Sequence, residues 1–292
     1  MKANQEISRG LLDNAERFRD PFFQRFQPRH ASQPLQLTDT ISKDYLFPTL
    51  YADVRCAIGI FHCDYARAKA VLPHPALAPV RMLRGRALVA FSCYEYRNVM
   101  GVPPYNEIAM TLPVRVGARL DVPVLPMLFN AMPGFGYYVF GMPVTSRENQ
   151  IRGNKLWGLP KVTQDVDLEE RDGDCVTVAR GTDGRPYFEL RVPMAGTPTA
   201  FDVSTSLYSV LDGRLLRSRT HFRGTFQVTK HMKVLARRGL TPERGYLTLG
   251  EGPEARVLRS LDIEPHPFQF RYAPTMNSAF DLPDPSFQFD TP

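Results

Sequence analysis

The residue whose setting most invites chemistry is Lys161. It lies in the run Leu156-Trp157-Gly158-Leu159-Pro160-Lys161-Val162, which holds the only tryptophan of the chain. Lysines mostly sit in water, yet this one is flanked by side chains that favour burial. Desolvation disfavours the ammonium form and lowers its pKa, leaving neutral amine near pH 7. Only that form attacks a carbonyl to give a Schiff base. Each unit of depression corresponds to about 1.4 kcal/mol of environmental bias. On its residues alone, the segment also suits a lysine at a strand start that snorkels to solvent.

Other signatures of chemistry are sparse. The sequence has no G-x-S-x-G elbow, no G-x-x-x-x-G-K-[ST] loop and no H-E-x-x-H pair. Gly134-Phe135-Gly136 precedes a strand, which suits a hairpin or strand start and not a dinucleotide site. His62 and Cys63 are strand neighbours pointing to opposite faces, which disfavours a shared metal. With Cys56, they read as small buried cysteines and a hydrogen-bonded histidine. Four cysteines without a C-x-x-C pair give neither a disulfide framework nor a zinc knuckle. A reducing, cytoplasmic setting is the expectation. The segment Gly213–Leu240 carries eight Lys or Arg and no Asp or Glu. It suits a solvated basic face, or a patch that draws an anionic substrate or an acidic carrier protein.

The stretch Gly153-Asn154-Lys155-Leu156-Trp157-Gly158-Leu159-Pro160-Lys161 resembles the active-site lysine segment of the acetoacetate decarboxylase superfamily. Tyr105-Asn106-Glu107, followed by Leu112-Pro113-Val114, is similar to the strand carrying that family's catalytic glutamate. The run IGIFHCDYARAKAVLP resembles the family's first strand, short helix and following proline. The resemblance implies Lys161 as the nucleophile and Glu107 as the carboxylate that orients substrate or moves protons. Arg55, beside the place of a family arginine, joins Tyr105 and Trp157 as candidate substrate-binding residues. The chain departs from the decarboxylases at Val162, where they carry a second lysine, and at Val54, where they carry the arginine. Asn154 and Lys155 replace an Arg-Glu pair. Burial is then the main lever on Lys161. An apolar insertion around Val116–Phe135 could line or cover an enlarged pocket, or serve as a packing loop.

The elements that must position these groups are short. Pro 26 and Gly 20, with Phe 19 and Tyr 12, favour strands and turns over long helices. Strands are expected at Val54–His62, Ala87–Arg97, Tyr105–Val116 and Gly136–Pro143. Asp64 caps a helix ended by Pro73, and Ser146 caps a helix or turn delivering the chain to Lys161. Asp172-Gly173, Asp183-Gly184 and Asp212-Gly213 mark antiparallel hairpins, and a short helix falls near Lys230–Arg237. Residues 1–43 read as an N-terminal helical arm and linker, with Ile7, Leu11, Leu12, Ala15 and Phe18 at helical spacing. Residues 44–272 form one β domain, and the proline-rich tail from Pro265, above all 273–292, reads as an extended strap outside the central sheet. The fold class is α+β, mostly β. The resemblance implies a closed or conical antiparallel β-barrel with short peripheral helices.

At 292 residues with 43% hydrophobic and 23% charged content, the chain is an ordinary globular protein. It has no apolar run long enough to span a bilayer, and its N-terminus lacks the apolar core of a secretory signal. A net charge of +6 is too small to argue for nucleic acid. The expected function is a lysine Schiff-base lyase that decarboxylates a β-keto acid or related carbonyl compound bulkier or more apolar than acetoacetate. Aldol addition, dehydration or cyclisation in the same pocket is the alternative, and a small-molecule-binding barrel without turnover is the third. No cofactor or metal is expected. The partners are a small-molecule keto acid or carbonyl substrate and further copies of the chain, without nucleic acid or membrane.

Overall fold

The computed structural model describes residues 1–117, 133–287 and 289. The chain enters through two single-turn 3-10 helices, Ala15–Phe18 and Phe23–Arg25. Short strands follow, β1 (Arg29–His30), β2 (Leu35–Thr38), β3 (Ile41–Lys43) and β4 (Leu46–Phe47). The arm is less helical than its apolar spacing predicts, because its first part is held extended against the body, with the Asn4 and Leu12 amides donating to the Thr145 and Gly101 carbonyls at 2.6 and 3.0 Å. Its phenylalanines are buried against the body: Phe22 and Phe23 cluster with Leu50, Ala52 and Ala279.

The main strands are β5 (Thr49–Asp64), β6 (Leu77–Pro79), β7 (Arg86–Val99), β8 (Tyr105–Val116), β9 (Phe135–Val144) and β10 (Lys161–Thr163). They continue as β11 (Val166–Arg171), β12 (Asp174–Arg180), β13 (Pro186–Pro193), β14 (Thr197–Leu211), β15 (Arg214–Lys230), β16 (Leu247–Leu249) and β17 (Pro267–Phe280). The helices are α1 (Tyr65–Val71), α2 (Arg147–Trp157), α3 (Lys233–Ala236) and α4 (Arg256–Ser260). None is long and apolar enough to cross a membrane among the described residues.

Nine strands pair in the order β10-β9-β14-β15-β17-β5-β7-β8-β6, and an additional β8–β9 pairing closes seven of them into a barrel. β10 hangs from β9, and β6 from β8. A second sheet, β11-β12-β13-β16, packs on the outer face of the wall. There Phe61, Phe91, Phe188, Leu190 and Val192 form a continuous buried core. Burial of that apolar surface, at about 25 cal/mol per Å², makes one wall rigid from both sides.

The turns follow from residue chemistry. Asp172-Gly173 and Asp212-Gly213 take positive φ at both positions and join β11 to β12 and β14 to β15, as a type I′ hairpin requires. Asp64 accepts a hydrogen bond from the Arg67 amide at 2.9 Å and caps α1.

The tail corrects the expectation drawn from its prolines. β17 lies between β15 and β5, inside the closed ring. Pro267 is its first residue, and Pro274 falls in the bulged stretch between Ala273 and Met276, positions where a missing N–H costs no ladder bond. Among the described residues of the tail, those beyond Phe280 lie outside the sheet, where the Asp281 and Asp284 amides bond the carbonyls of Arg219 and Arg217. The expected role of the apolar insertion falls on residues 118–132, outside the described residues.

Candidate active site

α2 and β10 together deliver the lysine. The Ser146 hydroxyl accepts from the Asn149 amide at 3.3 Å at the helix start, and Gly158 at φ 61 ends the helix in the left-handed region. Pro160 follows, and Lys161 opens β10 opposite Met142 of β9. The lysine stem then folds back along α2 over Gly153, whose missing side chain makes the space: a Cβ there would stand 2.4 Å from Lys161 Cδ.

Glu107 arrives from β8, between Tyr94 of β7 and Val144 of β9. Lys161 Nζ donates to Glu107 Oε2 at 2.5 Å, and the two side chains are only 8% and 6% exposed. The ammonium also lies 5.8 Å from the centre of the Tyr105 ring. Residues far apart in sequence thus meet as a single buried ion pair.

The pair borders a cavity of about 80 Å³ inside the barrel, also lined by Tyr51, Tyr94, Tyr96 and Leu159. A neighbouring cavity of about 130 Å³ continues down the lumen, and Tyr94, Tyr96, Ala109, Leu207, Thr220 and Ser278 line both. Its walls come from all seven ring strands. The tyrosines form a continuous wall, with ring centres 4.6 Å apart for the tilted Tyr51–Tyr96 pair and 5.2 Å for the stacked Tyr94–Tyr96 pair. Burial pushes the Tyr51 phenol up to about 12, against the opposing pull of the Arg152 charge. It pushes those of Tyr94 and Tyr96 well above the ordinary value. All three therefore stay protonated at neutral pH and can donate to a substrate oxygen.

The remaining sequence candidates lie elsewhere. Tyr105 sits one layer behind the cavity, hydrogen-bonded to Tyr51 and 4.8 Å from the Tyr96 ring. Trp157 does not line it. Its indole N–H donates to the Asp281 carbonyl at 2.8 Å, and its ring stacks on Phe280, which does line the cavity. Arg55 is a correction: Ile58 and Ile60 of β5 face the lumen, so Arg55, of opposite parity, faces out. There it pairs with Glu95 at 3.2 Å and Glu170 at 3.5 Å. Val162 likewise points away and is 50% exposed. His62 and Cys63 face opposite sides of β5, His62 against Phe268 and Cys63 in the outer core. In the basic segment, Arg217 and Arg223 are engaged by Asp284 and Asp20.

Three tyrosines escaped the sequence reading. Tyr94 and Tyr96 were visible as alternate positions of one strand, a pattern that puts both on the same face. Tyr51 carried no such signal. Arg152 and Lys155 both lie on α2, but only Arg152 turns inward. It donates to Asn149 Oδ1 at 2.9 Å and Thr49 Oγ1 at 3.1 Å, while Lys155 reaches the Gln36 carbonyl at the surface.

The family model for acetoacetate decarboxylase matches residues 32–261, and the chain belongs to that family. Among solved structures it is similar to acetoacetate decarboxylase from Legionella pneumophila, at 13% identity over 94% of this chain and 95% of that one, with a TM-score of 0.57. It is also similar to the enduracididine biosynthesis enzyme MppR complexed with pyruvate, at 14% identity over 86% and 96% of the two chains, with a TM-score of 0.54. A structure of acetoacetate decarboxylase matches at 15% identity over 80% and 87%, with a TM-score of 0.53. No curated protein matches the chain.

Proposed function

We propose that this protein is a lysine-dependent carbon–carbon lyase that forms a Schiff base between Lys161 and a β-keto acid or related carbonyl compound. The observation that carries this reading is the buried 2.5 Å contact between Lys161 Nζ and Glu107 Oε2 at the wall of a cavity inside the barrel. Glu107 takes the proton that would otherwise block the amine. The freed nitrogen attacks the carbonyl carbon, and the carbinolamine loses water to become an iminium. That cation draws the electrons of the Cα–carboxylate bond as carbon dioxide leaves, giving an enamine. Protonation of the enamine carbon, and hydrolysis of the resulting iminium, returns the lysine and releases a ketone. Exclusion of bulk water strengthens each electrostatic contact along this route.

A second reading has its own support. Among the described residues lining the cavity at Lys161, the lysine is the only cation, and Arg55 and Val162 both face outward. No second positive side chain there greets a β-carboxylate, so the same iminium serves aldol addition or dehydration equally well. The structural neighbour MppR, complexed with the condensation product of pyruvate and imidazole 4-carboxaldehyde, has this type of ligand by its own description.

Borohydride reduction in the presence of a ketone, followed by peptide mapping, tests the shared step, and carbon dioxide release separates the two reactions. An unlabelled Lys161 under productive turnover rejects the Schiff base. Tight ligand binding undiminished in Lys161→Ala, without turnover, identifies a binding barrel instead.

A further inference from the structure

The lumen has a second charged station. Arg271 of β17 lines the same cavity as Tyr94 and Tyr96, and also a third one bordered by Tyr137, Phe201 and Phe222. Among the described residues lining the three cavities, the charged side chains are Glu107, Lys161 and Arg271. The first two neutralise one another, so Arg271 alone sets the sign of the far end.

Its geometry is that of a held but unfilled fork. Nε and Nη2 both donate to Gln269 Oε1, at 3.0 and 2.8 Å. The guanidinium lies 5.1 Å over the centre of the Phe201 ring. Gln269 is itself buried. Among the described residues, no carboxylate pairs with Arg271, and its Nη1 has no acceptor. Neutral anchoring fixes the direction of the cation without cancelling its charge, which suits it to bind an incoming anion. Tyr137, beside it in the lumen, keeps its proton because burial raises its phenol, so it adds a second donor.

The strand register gives the spacing. Arg271 pairs with Ile58, Ile58 with Ser92 and Ser92 with Ala109, two residues before which Glu107 leaves β8. Three strand spacings put β17 and β8 roughly 14 Å apart along the wall. Arg271 lines the neighbouring cavity and not the one at Lys161, so a carboxylate two bonds from the reacting carbonyl stays in the first cavity. The lining between the stations, including Ile58, Ala109, Leu207 and Met276, is largely apolar.

We infer that Arg271 is a substrate-selecting residue, and that the substrate carries a carboxylate at the end of an apolar chain or ring remote from the carbonyl that meets Lys161. This rests on the Schiff-base reading for the identity of the reacting end. The remote carboxylate takes Nη1 and the Tyr137 hydroxyl, the apolar portion lies against Tyr94 and Leu207, and the carbonyl reaches Nζ.

The probes are methyl ketones of increasing chain length, each bearing a terminal carboxylate or its methyl ester. Borohydride trapping of the intact protein should half-saturate at about 10- to 100-fold lower concentration for the longer carboxylates than for their esters. That preference should collapse toward unity in Arg271→Gln and persist in part in Arg271→Lys, with unchanged circular dichroism establishing that both variants fold. Equal capture of acid and ester by the unaltered protein overturns the inference, as does a preference that survives Arg271→Gln. Calorimetric binding of the same pairs reads the preference without imine formation. Lys161 left unlabelled while calorimetry still favours the acids refutes the Schiff base and sustains the anion site.

Discussion

Gly153 of α2 and Lys161 of β10 touch so closely that the glycine hydrogen occupies the only space a side chain would have: a Cβ would lie 2.4 Å from Lys161 Cδ and 2.6 Å from Cε. Gly153 is helical, where glycine costs about 1 kcal/mol relative to alanine. Its local cost is offset by the path it opens for the lysine stem.

Gly153→Ala should therefore lower activity and stability together. The obstructed stem can swing aside only by leaving the buried Glu107 carboxylate without its counter-ion, so the gain of a better helix former should be outweighed and thermal unfolding should shift down. The displaced amine should lose its contact with Glu107, and trapping at Lys161 should fall by about tenfold or more. Parallel melting curves and trapping rates check this. A variant with unaltered trapping would show that the close approach has no bearing on the amine.

Lys161→Met should abolish both trapping and turnover, because no other amine lines that cavity among the described residues. Glu107→Gln preserves shape and removes the proton acceptor. It should lower kcat by about 2–4 powers of ten while leaving substrate affinity nearly intact, as steady-state kinetics with matched binding measurements would reveal.

His62 is wholly buried, with neither ring nitrogen partnered among the described residues. Burial, aided by the charges of Arg86 and Arg238, lowers its pKa from 6.5 to about 3. The unfolded chain gains this proton as pH falls through 6.5, whereas the folded chain holds it off until about 3. Stability from this group is thus complete above the upper value and declines toward the lower, by up to about 1.4 kcal/mol per pH unit. Urea unfolding across that window should show the slope, and His62→Leu should flatten it. A slope unaffected by the substitution would assign it to other groups.

Behind α2, Lys43 Nζ lies 2.9 Å from both oxygens of Glu148, with side-chain exposures of 1% and 3%. Tyr45 donates to the same carboxylate at 2.5 Å. Lys43→Met leaves a buried charge without its counter-ion and should cost about 3–5 kcal/mol. Adding Glu148→Leu should recover most of that loss, because the orphaned charge is then gone. Denaturant midpoints of the three proteins provide the measurement.

The parts legible in the sequence are those governed by local chemistry. Asp172-Gly173 and Asp212-Gly213 announced their turns because few residues accept two successive positive φ angles, and Ser146 announced α2 through its capping hydroxyl. Lys161 and Glu107 stood out through their flanking motifs, although nothing local showed that their atoms meet. Arg55 was misassigned because strand parity, not proximity along the chain, decides which face a side chain joins. β17 hid behind its prolines, which the ring tolerates at a strand start and a bulge. Arg271 gave no signal, since an arginine on a strand reads as solvent-facing until the ladder closes and turns that face inward.

The β8–β9 pairing that completes the ring has a consequence for how this chamber can change its guests. A hydrogen-bonded hoop does not stretch, so its bore cannot widen by sliding neighbours apart, as helices packed side by side can. Room for a larger molecule has to come from trimming what projects inward. Exchanging Leu207 or Phe222 for alanine would lengthen the hollow without loosening the hoop, making these the natural dials for re-tuning which compounds it admits.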